Sequence, residues 1–336
     1  MVRMMEELTT SQKAAKKAWG TRRRHETEKT RRQYLVLDNL TYSKELVRPG
    51  IKVGSYKISS PLIKPSKLTS KELGGIGKEL SQGWALNFAV GCTHGCLFCY
   101  VDSIHKRYGK ERYGSIINED WGHYFLIPSN IDEAISKTNW SRWSGQEVLL
   151  SAMHDPYLPE LSAITRRILK EALTAGVKFC IQTRSPLVMN DFDLLSEYRN
   201  QIRLQISIAT MNEELARVIE PRVVSPKARL DITRKAKQKG LEVGVIIAPV
   251  FPPTKDRPDV RDDLITIMNE LADIKPDHVY GESLHARGEN INGLRKVLGE
   301  EIGDLLESDK EAGVIFKNCL NETGLNGTWW PEHRNQ

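Results

Sequence analysis

From residue 84 onward the chain repeats one pattern six times: a continuous apolar run, then a longer segment with apolar residues at helical spacing. The runs occupy residues 84–90, 147–152, 177–182, 202–208, 241–248 and 278–284. A strand with one wet face alternates polar and apolar residues. Runs that are apolar throughout are buried on both faces, as in a parallel sheet covered by helices. The segments between them have helical ends. Residues 159–175 carry Leu161, Ile164, Ile168, Leu169 and Leu173 on one side and stop at Gly176; 225–239 open on Ser225-Pro226 and stop at Gly240. Residues 259–274 and 294–307 have the same character. The pattern predicts an α/β fold of six β/α units. Periodicity alone leaves a doubly wound sheet and an open barrel both possible.

The organisation around this array follows from composition. The formal charge is +6 over 336 residues, but residues 1–33 alone hold ten Lys/Arg against four Asp/Glu. We therefore expect a basic, polar leader over 1–35, a solvated helix or disordered tail with phosphate contact as the second option. Residues 36–83, with Pro49, Pro61, Pro65 and Gly74-Gly75, read as an extended lead-in wrapped on the core at 84–290. Residues 291–336 read as a C-terminal helix and a docking tail, because Trp329-Trp330-Pro331 is too apolar for a free end. No stretch approaches the roughly 18 apolar residues of a membrane span. The basic N-terminus lacks the apolar core of a secretory signal, and the expected location is cytoplasmic.

Three of the five cysteines fall within eight residues, in Gly91-Cys92-Thr93-His94-Gly95-Cys96-Leu97-Phe98-Cys99-Tyr100, directly after the first strand. Loops after strand C-termini are where parallel α/β folds place chemistry. Three thiolates in one loop can hold a metal centre. Zinc would want a fourth ligand from Cys180, Cys319, His94 or His105. Cys180 lies inside an apolar strand and reads as a small hydrophobe, and the two histidines read as solvent-facing. An iron–sulfur cluster held by three cysteines instead keeps one iron open for a substrate or cofactor. A zinc-containing nucleic-acid-binding module with the basic leader as its arm is the competing reading.

CxxxCxxC with Phe98 before the last Cys, at the end of the first strand of a β/α array, resembles the radical S-adenosylmethionine (SAM) superfamily. The resemblance implies a partial (β/α)6 barrel, a [4Fe–4S] cluster on Cys92, Cys96 and Cys99, and SAM as cofactor. It also implies reductive cleavage of SAM to a 5′-deoxyadenosyl radical that abstracts hydrogen from a substrate, with a reductant such as ferredoxin or flavodoxin as partner. Gln182-Thr183-Arg184-Ser185, Gln205-Ile206-Ser207-Ile208, Glu220-Pro221 and residues 244–250 run colinear with the spore photoproduct lyase-like branch, also labelled DNA repair photolyase-like. Arg184, Ser207, Tyr100 and His154 then fall around the cofactor. Asp155, Tyr157, Glu220, Arg222 and Glu282 are candidates for the substrate region, with His285 a further residue at the mouth.

Two departures matter. The lyase carries a hydrogen-donating Cys after its second strand, where this chain reads Ala152-Met153-His154-Asp155. Its Tyr-Cys-Tyr is Phe98-Cys99-Tyr100 here. Nucleic acid, bound through the leader, is one substrate class that the resemblance implies; the lyase's way of quenching the product radical is not.

Overall fold

The computed structural model describes residues 50–69, 77–284, 289–299 and 305–330. The basic leader and the first part of the lead-in, to residue 49, lie outside the described residues, as does His285. The strands are β1 (Lys52–Tyr56), β2 (Ile63–Pro65), β3 (Trp84–Leu86), β4 (Tyr124–Pro128), β5 (Glu147–Leu150), β6 (Lys178–Thr183), β7 (Ile202–Ser207), β8 (Glu242–Val250), β9 (His278–Ser283) and β10 (Gly327–Trp330). The main helices are α1 (Val101–Tyr108), α2 (Ser162–Thr174), α3 (Glu213–Ile219), α4 (Pro226–Gln238), α5 (Val260–Ile274), α6 (Glu289–Leu298) and α7 (Leu305–Thr323).

The principal sheet has the order β10-β9-β8-β7-β6-β5-β3-β2, parallel throughout except for β2 against β3. The six expected strands are neighbours in chain order. A doubly wound sheet would reverse its order at a switch point; this one does not, so the array is a partial (β/α)6 barrel, open between β2 and β10.

Period-2 alternation divides the strands between two environments. Val148, Leu150, Phe179, Ile181, Leu204, Ile206, Val243, Val245 and Ile247 join the large core beneath the helices, against Ile164, Ile168 and Leu169 of α2 and Leu264, Ile267 and Leu271 of α5. Their neighbours Leu149, Cys180, Ile246 and Tyr280 form a second cluster on the inner face. Burial on both faces is why these strands read as continuous apolar runs. The helices start where the sequence signals them. The Ser225 Oγ accepts from the Ala228 N–H, and Asp259 accepts from the N–H groups of Arg261 and Asp262.

Several boundaries differ from expectation. β3 stops at Leu86 rather than residue 90, because the chain leaves the sheet and Val90 bridges Leu126 of β4. β1 and β4 pair as a separate two-stranded parallel sheet, so the lead-in supplies strands. The helix expected over 294–307 is two helices, α6 and α7. The described part of the apolar tail docks on the sheet. It forms β10 on the edge of β9, with the Trp329 ring against Phe316 at 5.3 Å between centroids.

Candidate functional site

The cysteine loop runs from β3 into α1 and is pinned along its length. Gly91 has φ +87°, and a Cβ there would lie 2.5 Å from the Tyr124 carbonyl oxygen, so only glycine delivers Cys92 at this point. The Leu97 N–H donates to the Ile219 carbonyl at 2.9 Å, and the Asn290 amide donates to the Phe98 carbonyl at 3.1 Å. The loop is thereby fastened to α3 and α6 as well as to β4.

Cys92, Cys96 and Cys99 line one cavity of about 170 Å³ at the C-terminal ends of the strands. Sharing that cavity are Tyr100, His154, Asp155, Arg184 and Glu282, all singled out from the sequence. Burial pushes the Cys92 and Cys99 thiols up to about 12 and raises Cys96 further. They are neutral until a cation draws off their protons.

The donor set fits an iron–sulfur cluster better than zinc. Among the described residues no group of three His, Cys, Asp or Glu side chains is arranged to hold a single metal ion. Cys180 sits in the inner apolar cluster and Cys319 on α7 in the helix-side core, so neither reaches the pocket. A cubane gives each cysteine its own iron and does not need the three sulfurs to converge on one point.

Around the thiols the polar groups are unusually well fixed. Glu220, almost fully buried, accepts from Arg184 Nε at 3.0 Å and from both terminal nitrogens of the wholly buried Arg229, at 3.0 and 2.5 Å. Arg184 also donates to the Ala248 carbonyl, and its guanidinium lies 5.5 Å from the Phe98 ring centre. Two cations share one carboxylate close to Cys96, and Asp155 and Glu282 line the same cavity. Asp155 accepts from Thr183 Oγ1 at 2.7 Å and from the backbone N–H groups of Arg184 and Tyr157. Burial raises its pKa against those donors. His154 meets Ser151 Oγ through Nδ1 at 3.1 Å, and its buried Nε2 has no hydrogen-bond partner among the described residues. Burial lowers its pKa to about 3, so the ring is neutral. The Tyr100 hydroxyl donates to the Ala152 carbonyl at 2.9 Å.

Other candidates lie outside this cavity's lining. Tyr157 is fully buried and donates its hydroxyl to Asp191. Arg222 donates to the Gly122 carbonyl and touches His123, and its guanidinium packs against Gly95 (a Cβ there would meet it at 3.0 Å). It braces the cysteine loop from behind. Ser207 is buried one step below, accepting from Gln182 Nε2 at 3.3 Å; Gln182 is the residue that reaches the cavity. Glu220 is absent from the lining and bonds Arg184, which is in it. His94 and His105 are buried rather than solvent-facing, because His94 packs 3.4 Å from Asp155 and His105 meets the Tyr124 hydroxyl. Sequence reasoning passed over Trp121, Ser151, Met153 and Pro249 as lining residues. Ser151 and Met153 flank Ala152 and were within reach of the strand-end rule. Trp121 lies in the long connection between the first two strands of the array, just before β4, and carried no such signal.

An open parallel barrel with three thiols lining one cavity from its first crossover loop, beside a clamped arginine at the strand ends, defines a cofactor-dependent barrel enzyme. The sequence profile of the Radical SAM superfamily matches residues 86–267, more than half of the chain, and the chain belongs to that superfamily. It is a radical SAM enzyme. Members use SAM, typically with an iron–sulfur cluster, and need an electron donor. An uncharacterised protein of Acidianus two-tailed virus is 56% identical over 299 residues, spanning 89% of this chain and 99% of that protein. An uncharacterised protein of Methanocaldococcus jannaschii is 25% identical over 195 residues, 57% of this chain and 66% of that protein. Among solved structures, spore photoproduct lyase bound to a dinucleoside spore photoproduct superposes with TM-score 0.57 at 16% identity, covering 82% of this chain and 80% of that one. That likeness is one of fold. No described helix is long and apolar enough to cross a membrane.

Proposed function

We propose that Cys92, Cys96 and Cys99 hold a [4Fe–4S] cluster, that SAM binds beside it, and that the enzyme abstracts hydrogen from a bound substrate. When bound, the cluster supplies the electron that cleaves SAM to methionine and the 5′-deoxyadenosyl radical. The protein's own part is orientation and exclusion of water. Arg184, clamped by Glu220 and Phe98, presents a guanidinium to the SAM carboxylate. The His154 side chain, on the cavity wall, stands toward a polar edge of the cofactor, and the Tyr100 hydroxyl steadies the loop after β5. Ser207 acts through Gln182, one layer below. Asp155 and Glu282 stand toward the substrate, while Tyr157 and Arg222 support the walls.

The observation that carries this reading is the convergence of three thiols, a fixed arginine and the His154 side chain on one cavity. Ala152 has no thiol, so return of hydrogen from that position is not part of the proposal. A ferredoxin or flavodoxin is the proposed electron donor. The basic leader is the proposed contact for DNA or RNA, tested by deleting residues 1–33 and measuring polyanion affinity. Anaerobic reconstitution is expected to give about four iron and four sulfide per chain, and 5′-deoxyadenosine under strong reductant. One zinc, no sulfide and no 5′-deoxyadenosine would sink the reading in favour of a zinc module.

A further inference from the structure

A second cavity of about 450 Å³ adjoins the cysteine pocket, and nothing in the proposed chemistry uses it. Met153 lines both, so the two spaces share a wall. The lead-in supplies one side through Tyr56, Leu62 and Lys64; the chain after the cysteine loop supplies the other through Tyr108, Arg112 and Tyr113. This explains what the lead-in gains by wrapping on the barrel, since without β1 and β2 the cavity has only one side.

The lining has a definite chemistry. Tyr113 packs edge-on against Tyr56, 5.5 Å between ring centres, and the Arg112 guanidinium lies 5.4 Å from the Tyr113 ring. Tyr108 is 70% exposed, a large aromatic left at the surface. Lys64 and Arg112 are exposed cations, and none of the described lining residues is Asp or Glu. Phenol rings give flat contact area at low conformational cost. Two cations with no carboxylate in the described lining favour an anion and disfavour a cation. The size lies within the usual range for an organic ligand, roughly 300–1,000 Å³.

We infer that this cavity binds a planar organic anion, its ring against the tyrosines and its charge met by Lys64 and Arg112. It is the docking site of the substrate, or of the part of it that reaches past Met153 toward the cysteine pocket. The docking role rests on the radical SAM reading; the binding does not, and is read without turnover. A free aryl phosphate and a nucleotide present the same chemistry, so both serve as probes.

The test is anaerobic titration calorimetry on the reconstituted enzyme with SAM present and no reductant. The probes are 4-nitrophenyl phosphate, uridine 5′-monophosphate, uridine and inorganic phosphate. Both ring-bearing anions should bind at least about tenfold more tightly than uridine or phosphate alone, because charge-assisted contacts add to ring contact. The double variant Lys64→Gln/Arg112→Gln should weaken them at least about tenfold, and Lys64→Arg/Arg112→Lys should restore them. Lys178→Gln, at the opposite ends of the strands, should leave affinity unchanged. Phosphate binding as tightly as the ring-bearing anions would overturn the inference. So would absence of binding, or binding that the double variant leaves intact. Circular dichroism of each variant separates lost binding from lost fold.

Discussion

The two ends of the parallel sheet each carry a partly or fully buried Arg–Glu pair, and they are built to different ends. At the N-terminal ends, Arg203 donates to both oxygens of Glu147 at 2.9 Å and to the Glu79 carbonyl at 2.8 Å. The pairing is one to one and bidentate, which is the strong geometry. At the C-terminal ends, Glu220 is shared by Arg184 and Arg229, and the Arg229 Nε has no hydrogen-bond partner among the described residues. Beside it His154 keeps a buried nitrogen unmatched. The lower end is electrostatically closed, whereas the upper one sets two arginines on one carboxylate, and a buried imidazole nitrogen without a hydrogen-bond partner among the described residues, near three thiols. Unbalanced burial costs stability, and it is tolerated where a bound group restores the balance.

The sharpest way to break this comparison is at the thiols. Changing any one of Cys92, Cys96 or Cys99 to Ala should lower 5′-deoxyadenosine formation by about a thousandfold or more, since these groups act as a unit. Iron content should fall with it, while far-UV circular dichroism stays native. Arg203→Gln at the opposite end should leave SAM cleavage intact; a comparable loss there would erase the division between the two ends.

Glu220→Gln should be the costliest for stability, about 3–5 kcal/mol by denaturant unfolding, because it leaves the buried Arg229 charge unpaired. It should also weaken SAM binding by releasing Arg184. Acid comes next. Burial holds His105 neutral with a pKa lowered to about 4, against an ordinary value of 6.5. As pH falls below 6.5 the unfolded chain takes up the proton first, so stability present above 6.5 is lost towards pH 4. His105→Gln should flatten that decline by up to ~3 kcal/mol, read from unfolding at pH 7 and pH 4.5. The smallest effect is the stability cost of Arg203→Gln itself, about 1–3 kcal/mol, because Glu147 is partly exposed and water replaces its partner.

Much of the site was legible because it is local. Cys92, Cys96 and Cys99 lie in one loop, and Arg184 directly follows a strand whose apolar run announces it. The departures have a common cause. Tyr157 and Arg222 sit at the expected sequence positions, but their side chains turn to Asp191 and to Gly122, partners 34 and 100 residues away. His94 looked like a loop residue and is buried because the chain after β5 brings Asp155 against it. Met153 became a wall between two cavities only once the lead-in folded across it.

By itself, then, the sequence determined the six parallel strands, the helices that cover them and the three-cysteine loop at the strand ends. Each is written in short-range periodicity or spacing, which reports burial directly. Only the tertiary structure decided that Glu220 clamps Arg184, that the Trp329 segment is an edge strand, and that β1 and β2 complete a second cavity. Those depend on which distant segments meet. Local pattern says that a face is buried and leaves open against what, and the answer lies in the packing of the whole chain.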